Sequence, residues 1–146
     1  MTIEKYILAA IEKLKVNDSV LIDKKMERPA AHRLAVYLEE YFPGWNIDCE
    51  YNKMGEKTQP KQNSCGNHKR PDIIIHKRER NEKENNLLVI EIKIEHNGVN
   101  DTNKLIDFTS EPSPSRTFQY QKGLQITFLP SLDLKWFIGG KQKPTD

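Results

Sequence analysis

The stretch Leu87-Leu88-Val89-Ile90-Glu91-Ile92-Lys93-Ile94-Glu95 decides how this chain is read. Its first four residues are apolar without interruption. From Ile90 onward apolar and charged residues alternate, which is the period of a β-strand rather than a helix. Side chains of a strand point alternately to its two faces, so Glu91 and Lys93 share one face and Ile90, Ile92 and Ile94 share the other. Leu87 and Val89 lie on the same face as the charged pair. The first half of the strand is therefore covered on both sides, and the charges emerge where that cover ends. A carboxylate and an ammonium at the end of a buried run point to a cleft; a solvated strand face is the plainer alternative.

Working upstream, Asp72-Ile73-Ile74-Ile75-His76-Lys77 reads as a second strand. The polar segment between the two, Arg78 to Asn86, suits a hairpin connection. Antiparallel pairing across it can set Asp72 beside Glu91. Two carboxylates that close repel each other in a low-dielectric site, and a divalent cation is the natural neutraliser. Hard oxygen donors select Mg2+ or Mn2+ ahead of zinc, and the backbone carbonyl of Ile92 can add a third oxygen. Lys93 beside such a cation can orient or deprotonate a water, or stabilise charge on a phosphoryl oxygen. The same Asp-x-Lys spacing recurs at Asp23–Lys25 and Asp133–Lys135, so the pattern is weak by itself. Only Glu91 has a strand opening with Pro-Asp at a suitable distance before it, Pro71-Asp72, and that dipeptide occurs once in the chain.

Farther out, the spacing of Ile3, Ile7, Ala10, Ile11 and Leu14 predicts an amphipathic helix over 2–15. Ser19 to Ile22 reads as a linker or a brief strand. A second helix is expected over 27–42, with Pro29 in its first turn, Ala31, Leu34 and Leu38 on its apolar stripe, and Pro43-Gly44 ending it. Glu27 falls on that stripe. It is either a third acid of the site or a carboxylate favoured by the helix N-terminus. Residues 45–51 alternate as a half-buried strand, and 52–70 read as a long polar loop. Downstream, Asp101 would cap a short helix to about Phe108, strands follow over 118–129 and 134–138, and the tail 141–146 is expected to fray. The resulting fold class is α/β, a central mixed sheet of about five strands with helices packed on it, in a single domain whose core runs from about 27 to 139.

Pro71-Asp72 followed by Glu91-Ile92-Lys93 at the end of an apolar strand resembles the signature of the PD-(D/E)XK nuclease superfamily. The order of elements from about Glu27 to Phe128 is similar as well. The chain resembles in particular a group of small prokaryotic proteins with a Glu ahead of His-Arg-Leu-Ala, then Cys-Glu-Tyr-Asn, Pro-Asp, Glu-Ile-Lys and Asp-x-x-Lys-Leu. Here these are Glu27 with His32 to Ala35, Cys49 to Asn52, Pro71-Asp72, Glu91 to Lys93, and Asp101 with Lys104-Leu105. The resemblance implies a restriction-endonuclease-like core. It implies metal-dependent hydrolysis of phosphodiester bonds, DNA being expected ahead of RNA, with Asp72, Glu91, Lys93 and Glu27 as the catalytic set. A module of the same fold that binds nucleic acid or a protein without cutting is the alternative.

Supporting roles follow from the same reading. Lys69, Arg70, Arg78 and Lys104 are candidate phosphate contacts, against the plainer reading of a solvated charge cluster. Gln119, Gln121 and Glu50 are candidate supporting residues. Zinc binding by Cys49, Cys65, His68 and His76 is disfavoured, because these residues lack paired short-range spacing. The net charge of +2 does not advertise a polyanion partner, so any nucleic-acid contact must come from local clustering. With two cysteines, charged residues throughout Met1–Leu14 and no long apolar run, a cytoplasmic protein without membrane contact is expected. Cutting both strands of a duplex at once would require two copies, so a homodimer is among the assemblies considered.

Overall fold

The computed structural model describes residues 2–50, 53–54, 57–60, 70–80, 82–98, 102–114 and 118–144. The chain opens with helix α1 (Ile3–Asn17), whose Ile7, Ala10, Ile11 and Leu14 are buried on one stripe. Thr2 caps it, its hydroxyl accepting from the Lys5 amide at 3.4 Å. Helix α2 (Ser19–Asp23) follows at once. A linker or strand was expected there; five residues are too few for helical periodicity to show in sequence. Helix α3 (Glu27–Glu39) carries Ala30, Ala31, Leu34, Ala35 and Leu38 inward, and it stops three residues earlier than expected. Pro29 costs nothing in its first turn, where the amide would have no partner within the helix.

Six strands form the main sheet: β1 (Asn46–Cys49), β4 (Ile73–His76), β5 (Asn86–Glu95), β6 (Lys122–Leu129), β7 (Asp133–Ile138) and β8 (Lys141–Gln142). They lie side by side in that order. The pairs β1–β4 and β4–β5 are antiparallel, so the expected meander forms. Helix α4 (Asn103–Thr109) then carries the chain to β6, which runs parallel to β5, and this makes the sheet mixed. Strands β2 (Lys53–Met54) and β3 (Lys57–Pro60) pair with each other in a separate small sheet, inside what sequence suggested was loop. The expected frayed tail also needs correction. Lys141–Gln142 return as β8 against β7, while residues 145–146 lie outside the described residues.

Helices cover both faces of the sheet. On one face Ile73 and Ile75 of β4, Leu88, Ile90, Ile92 and Ile94 of β5, and Leu124, Ile126 and Phe128 of β6 pack under α1 and α3. On the other, Ile74 and Val89 meet Leu105 and Phe108 of α4, with Phe118, Tyr120 and Phe137. The apolar opening of β5 thus has a physical cause: it is buried twice. Phe118 and Tyr120 are not in β6, although alternation suggested a strand from 118. They form an aromatic cluster with Phe108, with ring centroids 5.6 and 5.9 Å away, and the Tyr120 amide bonds the Phe108 carbonyl at 2.8 Å. Gly123 lets α4 press on β6, because a Cβ there would lie 3.1 Å from Thr109 Cγ2 and 3.4 Å from Leu105 Cδ2. Among the described residues no helix is long and apolar enough to cross a membrane.

Candidate functional site

The register of the hairpin sets the site. Ile73 stands opposite Ile90 and Ile74 opposite Val89, so Asp72, one residue before β4, comes level with Glu91. Its carboxylate is fixed there: the Ile92 amide donates to Asp72 Oδ2 at 2.8 Å. Its own carbonyl accepts from the Glu50 amide at 3.1 Å, which ties the same residue to the end of β1. Asp72 is therefore held from both neighbouring strands. Glu91 and Lys93 leave β5 on the α4 face, two positions beyond the point where Val89 is sealed under Leu105 and Phe108.

Seven described residues line one cavity of about 260 Å³: Glu27, Asp72, Glu91, Ile92, Lys93, Lys104 and Gln125. Glu27 comes from the first turn of α3, Lys104 from the first turn of α4, and Gln125 from the middle of β6. Asp72 and the β5 residues come from the hairpin. The Glu91 side chain is only 15% exposed, and Lys104 Nζ lies 2.7 Å from its Oε1. That contact is an ion pair with poor hydrogen-bond angles, and Oε1 has no well-aligned donor among the described residues. Lys104 also donates to the Arg70 carbonyl at 3.0 Å. Lys93 donates to Asn97 Oδ1 at 3.4 Å.

The electrostatics follow from this crowding. Burial pushes the Glu91 carboxyl well above the usual range and the charge of Asp72 pushes it further, while Lys104 opposes both. Glu27 is also raised, by burial first and Asp72 second, with Lys93 opposing. Three acids thus share a small space with two lysines.

The predicted residues divide clearly. Asp72, Glu91, Ile92, Lys93, Glu27 and Lys104 are brought together. Lys104, expected to contact phosphate or solvent, lies beside the Glu91 carboxylate. Arg70 is exposed and reaches the site through its carbonyl. Lys69, Cys65, His68 and Asp101 lie outside the described residues. Arg78 is not at the cavity. Its guanidinium engages Asp48 of β1 through two bonds, 2.9 and 2.6 Å, and Asp48 also binds His76 at 2.7 Å. Gln119 donates to the Thr109 carbonyl at 2.9 Å, and Gln121 to the Lys83 carbonyl at 3.2 Å. Both brace connections rather than the site. Glu50 pairs with Arg28 at 3.3 Å, beside the cavity rather than in it.

Gln125 is the residue that sequence reasoning missed. It is buried on β6 directly beside Glu91 in the parallel pairing. The signal was present: Leu124, Gln125, Ile126, Thr127 and Phe128 alternate, and an amide in such a strand must face something polar. Gln119 and Gln121 share its parity, so the face was legible and the position along the strand was not.

Asp72 and Glu91, level with each other across the hairpin, are the two carboxylates that could hold a hard cation that retains several waters, as magnesium does. Among the described residues no group of three or more His, Cys, Asp or Glu side chains is placed to hold a metal ion. Glu27 therefore does not close a three-ligand cage with Asp72 and Glu91, and its place is at the cavity wall. No family model, no curated protein and no solved structure matches this chain.

Proposed function

We propose that the protein is a metal-dependent nuclease with a restriction-endonuclease-like core, hydrolysing phosphodiester bonds in nucleic acid, DNA ahead of RNA. The observation that carries this reading is the hairpin geometry. Asp72 is hydrogen-bonded to the Ile92 amide, between Glu91 and Lys93, so the four residues converge on one cavity. The order of elements agrees: a helix bearing an acid, an antiparallel hairpin bearing the site, then a helix and a parallel strand.

Asp72 and Glu91, with the Ile92 carbonyl, would hold Mg2+ or Mn2+. Bound there, such a cation supplies Lewis-acid stabilisation of charge on the reacting phosphate and eases ionisation of water. The chain's own residues do the rest. Lys93, on the same face as Glu91 and two residues along, is placed to orient the attacking water or to hold charge that builds on a phosphoryl oxygen. Lys104 sets the charge balance of Glu91. The buried amide of Gln125 can donate to or accept from a bound water or phosphate oxygen.

The test uses Lys93→Ala. A transition-state role lowers turnover by orders of magnitude while affinity for metal and nucleic acid stays near wild type. A module that only binds has a specific observation in its favour, since Lys104 gives Glu91 a counter-charge from the chain itself. In that case wild type cuts nothing under any divalent metal, and Lys93→Ala lowers the salt dependence of binding by about one unit.

A further inference from the structure

A larger groove of about 830 Å³ adjoins the cavity, and Glu27 and Asp72 line both. Among the described residues its apolar lining comes from Val20 and Leu21 of α2, from Pro29 and Ala31 of α3 and from Cys49 of β1. Val20 is an apolar side chain left 52% exposed there. Two ion pairs also stand in its wall, Arg28 with Glu50 at 3.3 Å and Arg33 with Asp18 at 3.6 Å. Each pair is neutral. Apart from the two acids it shares with the cavity, the described lining of the groove therefore combines apolar surface with paired charges, donors and acceptors side by side.

These features select a ligand. A phosphate needs uncompensated positive charge, and among the described residues both arginines of the groove are already paired with acids. A lipid chain would leave the charged pairs facing hydrocarbon. A nucleobase fits: its flat faces are apolar, its edges carry donors and acceptors together, and the groove volume lies in the range of small-ligand sites. Its position is also informative, because it opens from the acids that the proposed function sets at the scissile phosphate.

We infer that this groove holds an unpaired nucleobase next to the phosphodiester at Asp72 and Glu91, so that the substrate is single-stranded nucleic acid or an unpaired end. The inference rests on the nuclease reading. A base in a continuous duplex is stacked and paired, and entering the groove would require it to be extruded first. A single strand offers its bases without that cost.

The experiment measures binding of fluorescently labelled probes in calcium buffer by anisotropy: a short single strand, a blunt duplex of the same sequence, and the same strand with abasic positions throughout. The single strand should bind about tenfold more tightly than either control. Val20→Asn, an uncharged change at an exposed position, should remove most of that advantage, and Val20→Leu should retain it. Neither variant should alter the effect of Mn2+ on the melting temperature. Equal affinity for the three probes, or an advantage unchanged in Val20→Asn, overturns the inference. Metal-dependent cleavage of blunt duplex alongside such a result leaves the nuclease reading standing. Absence of both nucleic-acid binding and a metal effect removes the two together.

Discussion

Lys104 Nζ sits 2.7 Å from Glu91 Oε1, so the most buried carboxylate of the site already has a cation beside it, supplied by the first turn of α4. A divalent ion binding at Glu91 must share or displace that ammonium. Lys104→Met keeps the apolar stem and removes the charge. Metal-free, the variant should melt lower than wild type, because a buried carboxylate loses its counter-charge; about 1–3 kcal/mol is expected for this partly exposed pair. In a Mn2+ titration followed by melting temperature, its half-saturation should fall by about tenfold, the equivalent of about 1.4 kcal/mol of competition removed. An unchanged titration midpoint would mean that Lys104 does not compete for the metal position.

Asp72 has two separable roles, accepting the Ile92 amide and carrying charge. Asp72→Asn retains an acceptor oxygen and loses the charge. It should fold with stability close to wild type and show no Mn2+-dependent rise in melting temperature. Asp72→Ala should lose the metal effect and also about 1–3 kcal/mol of stability, the cost of leaving a buried amide without an acceptor. Denaturant melts of both, with and without Mn2+, separate the roles. A metal effect that survives in Asp72→Asn would move the ligand set elsewhere, with Glu50 next in line.

Asp48 predicts the acid behaviour of the sheet edge. Burial alone would raise its carboxyl, but hydrogen bonds from His76 and Arg78, reinforced by the charge of Arg78, more than offset this and hold it well below the ordinary range. A carboxyl depressed in the fold contributes stability that is fully present above its unfolded pKa and is lost as pH falls toward the folded value. Wild type should therefore exceed Asp48→Asn in stability at neutral pH, and the gap should narrow below about pH 4. Urea midpoints across that range check it. A pH-independent gap would show that the Asp48 pairing adds nothing to acid sensitivity.

Gly123 tests the packing that places α4, and with it Lys104, over the sheet. A side chain there meets Thr109 and Leu105 at once. Gly123→Val should destabilise by about 1–3 kcal/mol through overpacking. Because it shifts α4, it should also alter the Mn2+ titration, whereas Leu14→Ala, buried on the opposite face, should cost about 2–5 kcal/mol and leave that titration unchanged. Thermal melts of the two variants with and without metal make the comparison.

The hairpin and its site were legible because they rest on one strong signal. The period-two alternation after an apolar run fixed which residues of β5 share a face, and register then carried Asp72 to Glu91. Helices α1 and α3 were legible for the same reason, each having a long apolar stripe. What the sequence left obscure depends on contacts that no local period encodes. Lys104 looks like a surface lysine until α4 folds across β5 and β6. Arg78 looks like a phosphate contact until β1 brings Asp48 beside it. Gln125 is hard to single out in sequence because the alternation runs on back to Phe118, an aromatic buried by clustering with Phe108 and Tyr120 rather than by strand pairing.

On the proposed reading, Asp72, Glu91 and Lys93 form a metal-dependent hydrolytic site. The most direct measurement is hydrolysis of labelled single-stranded and duplex nucleic acid across a range of Mg2+ and Mn2+ concentrations, with wild type beside Glu91→Gln. That substitution keeps an amide oxygen near Lys104. Wild type should show metal-dependent cleavage, abolished by chelation, and Glu91→Gln should lose at least about a hundredfold with its fold intact by circular dichroism. Cleavage that persists at wild-type rate in Glu91→Gln, or no cleavage by wild type with either metal on any of these substrates, would contradict it.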